Sequence, residues 1–216
     1  MPTVLTLALA FFAANFFVQV AAKPTEVLRF AHFGSEKSPA ETWADYGPNF
    51  RRYAAPPITA DFLAALAQIE SSGNPYAQPP WVLRATLHPW RIFAPASSAV
   101  GLLQITNGNL EQARLLSGPR SSYSRLSPAD SIAMTAAFLQ HWVAREAPRK
   151  TSTPRRQQLA AVIHLCGPEK GPVFVRSGFR LDRMGDCGSQ AVGSYVRRVM
   201  KYRQDFSRLD AAARNR

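Results

Sequence analysis

Glu70 is the first residue whose type and place suggest chemistry. Phe62, Leu66 and Ile69 recur before it at helical spacing, Thr59 can cap the start, and Gly73 and Pro75 stop the run, so Glu70 falls in the last turn of a helix. Counted from Leu63 and Leu66, at i+7 and i+4, it shares the side of the apolar stripe instead of facing water. Partial burial and the negative end of the helix dipole both disfavour the ionised form there. A carboxyl group that keeps its proton near neutral pH can protonate the leaving oxygen of a glycosidic bond. On spacing alone the commoner reading is a structural Glu snorkelling at a helix end.

A second polar stretch follows a separator. Ser97 and Ser98 open a loop, and Gly101-Leu102-Leu103-Gln104-Ile105-Thr106 continues it. Glycine lets a backbone approach a ligand closely, and a Gln side chain can both donate to and accept from an acetamido or hydroxyl group. Together, Glu-Ser-x-x-Asn-Pro at 70–75 and Gly-Leu-x-Gln-Ile-Thr at 101–106 resemble the signature of the lytic transglycosylases with a soluble-lytic-transglycosylase (SLT, goose-type lysozyme-like) domain.

The resemblance implies a mainly α, lysozyme-like helical domain with a short β-like or irregular insertion after the catalytic helix. It makes Glu70 the catalytic acid and base, with Ser71 beside it as a substrate-binding residue and Gly101, Leu103 and Gln104 along the glycan; Leu103 stands where the family usually has Met. Leu159-Ala160-Ala161 and Cys166-Gly167-Pro168 resemble the ends of the family's Leu-Ala-Ala-Tyr-Asn-Ala-Gly-Pro motif, which places His164 at the Tyr position and Leu165 at the Asn position. His164 is then a candidate contact to substrate or to Glu70, with a satisfied core histidine as the alternative. Tyr195-Val196 resembles the family's Tyr-Val motif, whose Tyr hydroxyl reaches the catalytic Glu. The implied reaction is cleavage of the bond between N-acetylmuramic acid and N-acetylglucosamine in peptidoglycan, closing a 1,6-anhydromuramoyl end, with no metal or cofactor. A lysozyme-type hydrolase and a non-catalytic glycan-binding or assembly protein on the same fold remain alternatives. The partner is the peptidoglycan strand, and the setting can be a secretion or appendage assembly, wall recycling or a phage.

The elements that must position these groups follow from pattern and punctuation. Residues 58–206 form the expected catalytic domain. The separator 76–96 holds Trp81 and Trp90 among several prolines, with Trp81 to Leu87 as a candidate short strand. Either Trp can stack on a sugar, although large rings more often pack for their area. Asn107 or Asn109 can cap a helix through Leu115. Ser127-Pro128-Ala129-Asp130 starts a helix with the stripe Ile132, Ala136, Leu139 and Val143, and Thr153-Pro154 starts another that ends at Gly167-Pro168. A last helix carries Tyr195, Val199, Tyr202 and Phe206 on one side, and residues 207–216 read as a basic, frayed tail.

Before this domain, residues 1–22 are an apolar run ending in small residues and read as a secretory signal. No Lys or Arg precedes the run, and its length leaves an uncleaved membrane anchor open. Residues 23–57 lack a sustained period and are broken by Pro and Gly, so an irregular arm is expected, with one turn of helix at 40–46 docking Trp43 and Tyr46. Export to the periplasm or the exterior agrees with Cys166 and Cys187 as a disulfide pair; two unpaired thiols are the alternative.

At 216 residues and 46% apolar content the chain suffices for one core. Its formal charge of +12 favours polyanions. No nucleic-acid-binding motif, internal repeat, Walker loop, dinucleotide fingerprint or metal-ligand cluster appears in the sequence, so wall carboxylates or membrane phosphates are the expected anions, with a solvated basic surface as the bland alternative.

Overall fold

The computed structural model describes residues 2–22, 36–88, 92–118 and 123–215. The helices in chain order are α1 (Pro2–Ala22), α2 (Pro39–Tyr53), α3 (Ala60–Ser71), α4 (Asn107–Leu116), α5 (Pro128–Glu146), α6 (Thr153–Cys166), α7 (Lys170–Arg176) and α8 (Val192–Arg214). Two short antiparallel pairs complete the described elements: β1 (Trp81–Leu83) with β2 (Phe93–Pro95), and β3 (Asp186–Cys187) with β4 (Gln190–Ala191). The domain is mainly α and lysozyme-like, with a small β insertion after the Glu70 helix.

The body is built around α3. Phe62, Leu63, Ala64, Ala65, Leu66 and Ala67 are all fully buried, so this helix is apolar on every side and takes a central place. It packs chiefly against α8 and α2. From α8 come the buried Val192, Tyr195, Val196, Val199 and Phe206; from α6 and α5 come Leu159 to Ile163, Ile132, Leu139 and Val143.

Residues 39–53 differ from the expected irregular arm with a single turn: they form one helix of 15 residues. Ser38 and Glu41 make a capping box, and Trp43, Tyr46 and Phe50 lie on one face and are buried. Pro48 sits inside the helix, and its cost of about 3 kcal/mol is outweighed by three buried rings at roughly 1.5–3 kcal/mol each. Gly47 supports that packing by lying against the Trp43 ring. Residues 23–35 lie outside the described residues.

The expected strand 81–87 is shorter, covering 81–83, and it pairs in the register Trp81 with Pro95, Val82 with Ala94 and Leu83 with Phe93. α1 meets this hairpin, with the Phe16 ring 5.9 Å from that of Trp81. Cys166 and Cys187 form a disulfide that ties the end of α6 to β3.

Candidate active site

The end of α3 is held from three directions. Ser72 takes a left-handed conformation (φ 49°) and Gly73 follows at φ 71°, turning the chain sharply after the helix. A Cβ at Gly73 would stand 2.2 Å from Thr42 Oγ1, so only glycine fits between this turn and α2. Thr42 Oγ1 donates to Gln68 Oε1 at 2.9 Å, and Gln68 Nε2 donates to the Lys37 carbonyl at 2.9 Å. The segment expected to be an arm thus braces the turn that carries Glu70.

Ser71 fixes the third side. It is buried, and its hydroxyl lies 2.7 Å from the Leu102 carbonyl and 2.9 Å from that of Ala67. It fastens the helix end to the 97–106 loop and is not turned toward a substrate.

That loop is a tight, braced turn. Val100 and Ile105 make a β-bridge, Gly101 stands at φ 87°, and Gln104 is left-handed at φ 48°. A Cβ at Gly101 would be 2.0 Å from the Arg125 carbonyl. Arg125 in turn donates to the carbonyls of Ser98 and Ile105, clamping the loop from its far side. The hydroxyls of Ser97 and Ser98 accept from the backbone of Ala99 and Asn107, so both serve as caps. Leu103 is fully buried; its side chain packs in the core and does not face a glycan. Gln104 Nε2 donates to the carbonyls of Ala77 and Gly101, each at 2.8 Å, which fixes the amide with Oε1 as its remaining acceptor.

Three helices meet at the Glu70 carboxyl. Tyr195 Oη of α8 donates to Glu70 Oε1 at 2.5 Å, and His164 Nε2 of α6 lies 3.5 Å from the same oxygen. Among the described residues Oε2 has no hydrogen-bond partner. The Glu70 side chain is 14% exposed and the His164 side chain 11%. Burial holds His164 below its ordinary value of 6.5 against the opposing field of Glu70, so the imidazole is neutral near pH 7. Burial first, and then the charge and hydrogen bond of Glu70, push the Tyr195 phenol well above 10, which keeps it a donor.

His164, which approaches this carboxyl, and Gln104 also line a small pocket, together with Ile105, Thr106, Thr135 and Phe138. Trp81 stands apart from that group on the β1–β2 hairpin, its ring 5.1 Å from Phe93. Trp90 lies outside the described residues. Thr42, Gln68, Arg125 and Thr135 were not singled out by sequence. Gln68, a polar residue among the apolar positions of α3, is the one of these with a visible signal.

The chain is thus a helical, lysozyme-like body that presents one carboxyl at the end of its central helix, met by a phenol and an imidazole. Residues 49–152 match the family model described as the transglycosylase SLT domain. The matched stretch contains Glu70, the 97–106 loop and Thr135, and ends before His164 and Tyr195. No curated protein matches the chain.

Proposed function

We propose that the protein is a peptidoglycan lytic transglycosylase in which Glu70 is the single acid and base. The observation that carries this is the division of labour on the carboxyl: Oε1 is held by Tyr195 and faced by His164, which leaves Oε2 to carry the proton that is given away. In the first step Glu70 transfers that proton to the oxygen linking N-acetylmuramic acid to N-acetylglucosamine. The C1–O bond breaks and the N-acetylglucosamine hydroxyl leaves, while the muramoyl centre develops oxocarbenium character that its own acetamido group can share. The Glu70 carboxylate then takes the proton from the muramoyl C6 hydroxyl as O6 bonds to C1, so the anhydro ring closes and the acid is restored without water.

A two-carboxylate mechanism needs a partner acid facing the first across the bond. Other acids on α3, α5 and after α7 have different engagements: Asp61 faces Arg203, Glu146 pairs with Arg145, and Asp182 pairs with Arg180. Glu111, Glu169 and Asp186 are exposed. This favours the single-acid route. Digesting purified peptidoglycan in oxygen-18 water tests it: the account expects product ends free of label, and labelled reducing ends would assign a lysozyme-type hydrolase instead.

His164 and Leu165, where the resemblance calls for Tyr and Asn, favour a second reading as a glycan-binding module without turnover. That reading predicts retention on wall material and no release of fragments. For location, we propose that residues 1–22 direct the chain to the periplasm or beyond. Cell fractionation tests this, and a protein confined to the cytoplasm would contradict it.

A further inference from the structure

Two arginines at the 97–106 loop carry charge that the surrounding fold does not neutralise. Arg125 commits Nη1 to the carbonyls of Ser98 and Ile105, at 3.0 and 2.9 Å. Arg114 of α4 commits Nη2 to the Tyr123 carbonyl at 2.9 Å, two residues before Arg125, so one short segment gathers both guanidinium groups. Both side chains are half-buried. All three acceptors are neutral, and among the described residues neither guanidinium meets a carboxylate. The sequence supplies none close by: positions 112–129 contain three Arg and no Asp or Glu. Of the acids that flank this stretch, Glu111 is exposed and Asp130 accepts from the Ser124 amide at 3.2 Å.

As it stands the pair is electrostatically unfavourable. Burial, and then the charge of Arg114, hold Arg125 below its ordinary value, so the two cations lie within each other's field. Arg114 Nε is buried without a hydrogen-bond partner, which leaves that guanidinium incompletely satisfied as well. Bonds to carbonyls position a guanidinium but do not compensate its charge. Among the described residues, Arg125 Nη2 and Arg114 Nη1 donate to no acceptor, and the planar fork of a guanidinium matches an oxyanion. Charge decides which oxyanion. A carboxylate or a phosphodiester cancels one of the two cations. Inorganic phosphate or a phosphate monoester carries about −1.5 to −2 near pH 7 and cancels both.

We propose that Arg114 and Arg125 form a binding site for a phosphate dianion, free or as a monoester, separate from the Glu70 carboxyl. Neither arginine enters the proton transfers proposed for Glu70, so the site stands whether or not the protein cleaves glycan. Inorganic phosphate is titrated by calorimetry into the full chain at an ionic strength fixed with sodium chloride, and acetate serves as the monoanion control. Phosphate is expected to bind saturably, with acetate at least about ten-fold weaker. Arg114→Gln should weaken phosphate about ten-fold, while Lys201→Gln, which removes an exposed cation from α8, should change it by less than about two-fold. Arg114 is substituted because Arg125 also clamps the loop; Arg114→Lys, which keeps the charge and loses the fork, covers the case in which Arg114→Gln does not fold and should weaken phosphate in the same direction. Phosphatidylcholine vesicles with phosphatidic acid present the monoester on a lipid, and vesicles with phosphatidylglycerol at matched surface charge present a diester. Phosphate binding that depends on Arg114, with no preference between the vesicles, supports a soluble source. An Arg114-dependent preference for phosphatidic acid supports a lipid source. Dependence on Arg114 in neither arm would overturn the proposal, as would equal affinity for acetate or an equal loss in Lys201→Gln, which would reduce the effect to the basic surface as a whole.

Discussion

Tyr195 and Glu70 are separated by 125 positions in the chain, yet the phenol donates to the carboxyl at 2.5 Å. The bond joins α8 to the end of α3, the most extensively packed helix pair in the domain. Tyr195 is fully buried and its hydroxyl is held protonated, so the hydrogen bond persists whichever charge state Glu70 occupies. Removing the hydroxyl while keeping the ring isolates its contribution. Tyr195→Phe should lower kcat on peptidoglycan about 10- to 100-fold, the range for a hydrogen bond to a charged group, with KM little changed and the fold intact by circular dichroism.

His164 sets an acid limit on stability. Its folded-state value lies below 6.5 because burial opposes the cation. Above the unfolded value both states hold a neutral imidazole and the site costs nothing. As the pH falls through about 6.5 the unfolded chain takes up a proton that the folded one resists, so stability declines until the lower folded value is passed. Urea unfolding at about pH 7.5 and about pH 5.5 should show a larger acid-side loss for the unsubstituted protein than for His164→Gln. Equal losses would show that His164 does not contribute.

The disulfide steadies both groups that meet Glu70. Cys166 lies two residues after His164, and Cys187 lies in β3, shortly before the helix of Tyr195. Its sequence separation is 21, for which chain entropy gives about 3 kcal/mol. Replacing both cysteines with Ser should lower the unfolding free energy by roughly that amount and lower activity at temperatures where the intact protein is fully folded.

Two substitutions in the 97–106 loop should differ sharply. Gly101→Ala puts a Cβ against the Arg125 carbonyl at a backbone angle that side chains avoid, so it should cost at least about 1 to 3 kcal/mol. Leu103→Met exchanges one buried side chain for another of similar volume and should cost less than about 1.5 kcal/mol. Thermal melts of the two variants check both values.

The parts of this fold that could be read in the sequence are those where local signals agree. Ser127-Pro128 and Thr153-Pro154 announced α5 and α6, and the apolar spacing around Leu63 and Leu66 announced α3. α2 was hidden because Gly47-Pro48 reads as a break, and only the burial of Trp43, Tyr46 and Phe50 against the rest of the core overrides it. Side-chain direction in the 97–106 loop was equally illegible. Left-handed turns at Gly101 and Gln104 send Leu103 inward, and no period in the sequence encodes such a turn. The bracing of Glu70 by Thr42 through Gln68 depends on contacts between distant segments and has no local signature.

Glu70→Gln, which keeps the shape of the side chain and removes the proposed acid, tests the assignment of Glu70 most directly. Soluble fragments released from purified peptidoglycan by the two proteins should be compared by mass spectrometry at equal folded concentration. The unsubstituted protein should yield 1,6-anhydromuramoyl ends and Glu70→Gln should yield none above background, while still binding the wall. Anhydro ends released at an undiminished rate by Glu70→Gln would contradict the assignment of Glu70 as the acid and base.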